Sequence, residues 1–251
     1  MKKIDMKSAL SLILLLLSFF SNKGACAYSK PDYVPAQRVL MIGDSLSVGP
    51  FGREMQAYLT DQFGEKRFYM YASCGSSPEH WLASEPVFHS KCGSRVKTPK
   101  SFSHSEAEKG RPAEPFSTPK LESLLRDSRP NLVIVQLGTN WFDRLVDKPG
   151  PEELARLAGI LDRFAETVLT SESRPKLIWI TPPDSERFRK VQGDITKLIS
   201  AAARQRRFNT INSSSMVRYV TGQTGGDGVH YYGPDAIKWA DGVKNRLRGL
   251  L

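Results

Sequence analysis

The stretch that most constrains this chain is Val39-Leu40-Met41-Ile42-Gly43-Asp44-Ser45. Four uninterrupted apolar residues read as a strand buried on both faces, as in a parallel sheet. The run stops at a glycine, an acid and a serine before a helical pattern resumes. Ser45 therefore stands at a strand's carboxyl end, the edge at which open α/β sheets bind ligands. A hydroxyl placed there becomes a nucleophile when a base can reach it. Asp227 and His230, three residues apart in a glycine-rich loop, can supply that base. The carboxylate would orient the imidazole through one nitrogen and leave the other for Ser45.

The same arrangement recurs along the chain. Residues 68–72 read as a second strand, ending in Cys74-Gly75, and the apolar run 132–137 delivers Gly138-Thr139-Asn140. Further strands are expected at 176–181 and 209–212. Between them lie helical patterns, such as Leu154, Leu157, Leu161, Phe164 and Val168 at spacings of three and four. Thr118-Pro119 and Ser185 are expected to start helices, and Gly233-Pro234 the last one. Alternating strands and helices imply a parallel sheet covered on both faces. At the end of the third strand, the Asn140 amide can donate a hydrogen bond to a developing oxyanion, a contact whose loss costs about 10²- to 10³-fold in rate.

Four blocks, Gly43-Asp44-Ser45-Leu46-Ser47, Gly75, Gly138-Thr139-Asn140 and Asp227 to His230, stand in an order and spread that resembles the GDSL esterase/lipase group, the SGNH hydrolases. The resemblance covers most of the chain beyond residue 27. It implies an α/β fold, a three-layer α/β/α sandwich on a flavodoxin-like parallel sheet. It also implies a serine hydrolase acting on ester bonds, with Ser45, Asp227 and His230 as catalytic residues. The oxyanion hole would be built from Ser45, Gly75 and Asn140, and no metal or cofactor is implied. The larger α/β-hydrolase group is a poorer match, because Ser47 occupies the place of the final glycine in its Gly-x-Ser-x-Gly turn.

Lys2, Lys3 and Lys7 precede an apolar run at 9–20, and Ala25-Cys26-Ala27 supplies small residues for cleavage, so residues 1–27 read as a secretory signal peptide. The alternative is a lipid anchor at Cys26. No later stretch reaches transmembrane length, and residues 28–251 are expected to form one hydrolase domain, periplasmic or secreted. An even pair of remaining cysteines in an exported chain suggests a Cys74–Cys92 disulfide, worth about 3 kcal/mol on the chain-entropy estimate; two reduced thiols are the alternative.

The formal charge of +10 includes four lysines and one aspartate from the signal segment. The rest is moderately basic, suited to an anionic envelope surface or simply to solvent. Dispersed basic residues without a binding motif argue against a nucleic-acid partner.

Residues 78–115 show little periodicity and are expected to form a long substrate-side loop. Its His80, His89, Cys92 and His104 match no usual zinc-ligand spacing. Trp81 within it, and Trp141 after Asn140, are candidate substrate contacts, with core packing as the alternative for each. Export and an aromatic-bearing loop point to O-acetyl groups on cell-wall or extracellular polysaccharide. The alternatives are a lipid acyl hydrolase, such as a lysophospholipase or thioesterase, and a non-catalytic carbohydrate-binding protein.

Overall fold

The computed structural model describes residues 37–108, 111–147 and 150–251; the expected signal peptide at 1–27 and Cys26 lie outside them. Strand β1 (Val39–Gly43) leads into a single helical turn α1 (Ser45–Val48), helix α2 (Pro50–Phe63) and β2 (Phe68–Ser73). A 3-10 turn at Pro78–Trp81 is followed by β3 (His89–Ser90), β4 (Gly93–Lys97), β5 (Phe102–Glu106) and β6 (Phe116–Ser117). Then come α3 (Leu121–Ser128), β7 (Leu132–Gln136), a 3-10 turn at Thr139–Trp141, and helices α4 (Phe142–Asp147) and α5 (Pro151–Leu169). Strand β8 (Lys176–Ile180), α6 (Arg189–Arg206), β9 (Asn209–Ile211) and α7 (Gly233–Arg248) complete the chain.

Seven strands form one sheet in the order β5-β4-β2-β1-β7-β8-β9. The five from β2 to β9 are parallel, and numbered among themselves they run 2-1-3-4-5, the order of flavodoxin-like sheets. Beyond β2 the sheet is extended by β4 and β5, both antiparallel to their neighbours, so the sheet is mixed rather than parallel. The antiparallel direction of β5 against β4 follows from the short reversal between them, where the Thr98 hydroxyl accepts from the N–H groups of Lys100 and Ser101. Parallel neighbours would require a crossover of a dozen or more residues. The segment 78–115, expected as a long loop, thus carries a 3-10 turn and three strands, one of which pairs with β6 in a separate two-stranded sheet.

The apolar runs of the central strands are explained by burial on both sides. Successive side chains of a strand point to opposite faces. Leu40, Ile42, Val133, Val135, Leu177 and Trp179 pack under α3, α5 and α6. Val39, Met41, Leu132, Ile134, Ile178 and Ile180 pack against α2 and α7. Helices on both faces of a sheet give the three layers. Thr118 does not cap a helix as expected; α3 starts at Leu121, and the Thr118 hydroxyl lies 2.6 Å from that of Ser73. The register sets Gly43 beside Ala72 on one side and Gln136 on the other. The chain segments leaving β1, β2 and β7 therefore emerge side by side at one sheet edge.

Candidate active site

At that edge β1 turns sharply into α1. The turn is possible only with glycine at position 43, where a Cβ would fall 2.2 Å from Ser47 Oγ. Ser47 in turn donates to Gln136 Oε1 at 2.7 Å, tying the turn to β7. Asp44 caps α1, its Oδ1 accepting from the Leu46 N–H at 3.0 Å. The Asp44 carboxyl is fully buried, and that desolvation pushes it up to about 6. The Leu46 N–H, the neighbouring Gln136 and Thr139 side chains and the charge of His230 offset only part of the rise. Asp44 thus shapes the turn, and Ser45 stands at its tip.

The candidate base arrives from the other end of the chain. His230 Nε2 lies 2.9 Å from Ser45 Oγ, and His230 Nδ1 lies 2.6 Å from Asp227 Oδ2. The neutral ring that fits both contacts carries its hydrogen on Nδ1, donates to the carboxylate and accepts from the serine hydroxyl. Asp227 Oδ1 accepts from the backbone N–H groups of Val229 at 2.9 Å and His230 at 2.8 Å. Partial burial alone would raise the Asp227 carboxyl. The His230 ring and these two N–H groups outweigh it and hold the group at about 2. A carboxylate held so low stays ionised throughout the range in which histidine changes charge.

The loop carrying these two residues is fixed by polar contacts that sequence reasoning missed. The Tyr219 hydroxyl accepts from the Gly228 N–H at 3.1 Å and donates to the His230 carbonyl at 3.0 Å. Ser185 Oγ donates to the Gly228 carbonyl at 2.7 Å. Ser185 therefore braces the base loop instead of capping α6, which begins at Arg189. Asp184 accepts from the Tyr219 N–H at 2.7 Å, and its carbonyl accepts from the Tyr231 hydroxyl at 2.5 Å. The available signal was positional, since Asp184 and Ser185 follow the end of β8 as Ser45 and Asn140 follow β1 and β7.

Gly75 follows β2 with φ of +81°, a conformation that favours glycine. It adjoins the Cys74–Cys92 disulfide, whose Cα atoms are 5.5 Å apart. The Asn140 amide donates to the Ser76 carbonyl at 2.9 Å, linking the segments that leave β7 and β2. Its second N–H has no hydrogen-bond partner among the described residues. Gly75 and Asn140 flank β1 and its serine from both sides, where backbone and amide donors can meet an oxyanion formed at Ser45.

Trp81 and Trp141 are not substrate contacts. Both are fully buried in the core beneath α5, with Trp81 Nε1 donating to Ser76 Oγ at 3.2 Å and Trp141 Nε1 to Glu79 Oε2 at 2.8 Å. A buried acceptor for each indole N–H removes the usual reason for tryptophan to keep one edge in water. A cavity of about 100 Å³ opens beside Ser45 and His230, walled by Leu46, Pro50, Phe51, Ala236 and Trp239 and edged by Glu106. A larger one of about 630 Å³, between the 79–88 segment, α4 and α5, is lined by neither Ser45 nor His230.

No family model matches the sequence, and no curated protein matches it significantly. Solved structures do match. TesA superposes with a TM-score of 0.59 at 19% identity, covering 86% of this chain and 100% of its own. A peptidoglycan O-acetylesterase gives 0.57 at 12% identity, covering 85% and 91%. Est24, a carbohydrate acetylesterase from Sinorhizobium meliloti, gives 0.55 at 15% identity, covering 86% and 100%. With a 2-1-3-4-5 parallel core between two helical layers and these neighbours, the chain has the fold of the SGNH hydrolases.

Proposed function

We propose that this chain is a serine esterase of the SGNH type that cleaves short acyl esters, above all O-acetyl groups of cell-wall or extracellular polysaccharide. The observation that carries the reading is the Ser45–His230–Asp227 chain of contacts at 2.9 and 2.6 Å. His230 takes the proton of Ser45 as its oxygen attacks the ester carbonyl, and Asp227 steadies the imidazolium that forms. The tetrahedral oxyanion is met by the backbone N–H groups of Ser45 and Gly75 and by the open N–H of Asn140. His230 returns the proton to the leaving alcohol. Water, activated by the same ring, then releases the acid from the acyl-enzyme.

The size of the cavity beside Ser45 favours a short acyl group. Ligand pockets for larger molecules run from about 300 Å³ upward, whereas this one measures about 100 Å³. The polysaccharide half of the reading is supported by neighbours of the same fold whose names state peptidoglycan O-acetylesterase and carbohydrate acetylesterase activity. Export fits the signal-like residues 1–27 and the Cys74–Cys92 disulfide. We take residues 28–251 as one catalytic domain. No described helix is long and apolar enough to cross a membrane.

Hydrolysis of 4-nitrophenyl esters from acetate to decanoate, with Ser45→Ala as control and acetate release from O-acetylated peptidoglycan in parallel, tests the proposal. Turnover should be greatest for acetate or propionate, be lost in Ser45→Ala and extend to the polymer. Preference for octanoate or longer would move the assignment to a lipid acyl hydrolase. Polymer binding without Ser45-dependent turnover would leave a carbohydrate-binding protein.

A further inference from the structure

The cavity beside Ser45 has one lining residue that neither the catalytic chain of contacts nor its apolar wall explains. Glu106, the last residue of β5, lines the same small space as Ser45 and His230. It is brought there by the antiparallel extension of the sheet. Glu106 pairs with Gly93 across the β4–β5 ladder, the Ala107 N–H donates to the Cys92 carbonyl at 3.3 Å, and the Cys74 N–H donates to the Gly93 carbonyl at 3.0 Å. The disulfide fixes Cys92 to the strand end that bears Gly75. The carboxylate is therefore carried on a braced strand, and its position relative to the nucleophile is set by backbone pairing.

Its charge is only partly compensated, with Arg95 close enough to interact with it through space but not in an ion pair. Among the described residues the one cationic group within ion-pair distance is His104, whose Nε2 lies 3.6 Å from Glu106 Oε2. Partial burial and the nearby Arg95 disfavour protonation of that ring. Arg95 spends its own donors on neutral oxygens, the Val48 carbonyl at 2.9 Å and Gln56 Oε1 at 3.2 Å. What remains is a carboxylate at the edge of a pocket that has Ser45 and His230 on one side and mostly apolar side chains, Leu46, Pro50, Phe51, Ala236 and Trp239, around the rest. A charge in that setting discriminates between substrates by sign, and with 51% of the Glu106 side chain open to solvent the discrimination is modest and sensitive to salt.

We propose that Glu106 is a specificity-determining residue, making the pocket favour short acyl groups that are neutral or carry an ammonium over those that carry a carboxylate. The inference rests on the esterase reading above and names the acyl class that the same site accepts. An aminoacyl ester of the smallest size fits this description. A glycyl group places an ammonium where propionyl has its terminal methyl, at nearly the same volume, and the ammonium meets an acceptor in Glu106.

The test compares 4-nitrophenyl propionate, glycinate and hemimalonate, each corrected for spontaneous hydrolysis, on the full chain and on Glu106→Gln and Glu106→Lys. The quantity read is the kcat/KM of each charged ester divided by that of propionate. For a partly exposed carboxylate, the glycinate ratio is expected to fall about three- to tenfold in Glu106→Gln at low ionic strength, and the hemimalonate ratio to rise by a similar factor. Glu106→Lys should reverse the order of the two charged esters, and added salt should shrink every difference. Changes in folding or in Ser45 reactivity move all three esters together and leave the ratios alone. Propionate turnover with both ratios unchanged within twofold in both variants would overturn the role of Glu106 while leaving the esterase reading intact. Absence of Ser45-dependent turnover of propionate would overturn both.

Discussion

The two halves of the candidate site are built in different ways. Ser45 is delivered by a strand buried on both faces, through a turn whose residues Gly43, Asp44 and Ser47 are themselves completely or almost completely enclosed. His230 and Asp227 sit on a half-exposed loop, each with 52% of its side chain open to solvent, and side-chain hydrogen bonds from Tyr219 and Ser185 hold the loop in place. The position of the proposed nucleophile is thus a consequence of the core. That of the proposed base depends on a few polar contacts that can be removed one at a time. Damage to the first half should appear as lost stability, and damage to the second as lost rate in a folded protein.

The largest effect separates them most sharply. His230→Ala should lower kcat by about 10⁴-fold or more while the thermal midpoint stays within a few degrees, because the ring is exposed and its loss leaves no cavity. Asn140→Ala comes next, with a loss of about 10²- to 10³-fold in kcat for acetate esters and little change in KM. A drop confined to KM would assign Asn140 to ground-state binding instead.

Tyr219→Phe sharpens the comparison at a smaller scale. The lost hydroxyl strips the Gly228 N–H and the His230 carbonyl of partners, so the loop shifts and kcat should fall about tenfold. Hydrogen exchange should rise at residues 225–230 and remain unchanged in β1. Increased exchange throughout the sheet would mean that Tyr219 supports the core rather than the base loop.

Asp44→Asn probes the enclosed half by pH. The folded state raises the Asp44 carboxyl from its ordinary 3.8 to about 6. Protonation is therefore tighter in the folded than in the unfolded chain, and the contribution to stability is complete below 3.8 and declines as pH rises to 6. Asparagine keeps the cap acceptor without the charge. The stability of Asp44→Asn relative to the parent should improve between pH 4 and pH 7.5 by on the order of 2 kcal/mol. A pH-independent difference by chemical denaturation would show that the enclosed carboxyl is not raised.

The same contrast explains what could be read from the sequence. Residues 39–43 and 132–136 are fully enclosed, so their apolar runs announced both the strands and the edge that holds Ser45 and Asn140. Strands β4 and β5 gave no such signal. Gly93-Ser94-Arg95-Val96-Lys97 is a polar strand, β5 lies at the sheet edge mostly in water, and their pairing is set by backbone hydrogen bonds. Glu106 was illegible for that reason. For Trp81 and Trp141 the choice between substrate contact and core packing stayed open in the sequence, because their buried partners, Ser76 and Glu79, become visible only once the 76–81 segment is folded against the core. Ser185 reaches Gly228 across 43 residues, a contact that no local pattern announces.

The most direct test of the central claim, that His230 and Asp227 make Ser45 a nucleophile, is the rate of covalent labelling by a 4-nitrophenyl alkylphosphonate, read by intact mass and by peptide mapping. One adduct should form on Ser45, be absent in Ser45→Ala, and form at least about 10³-fold more slowly in His230→Ala. An adduct on another residue, or labelling of Ser45 at the same rate with and without His230, would contradict the account.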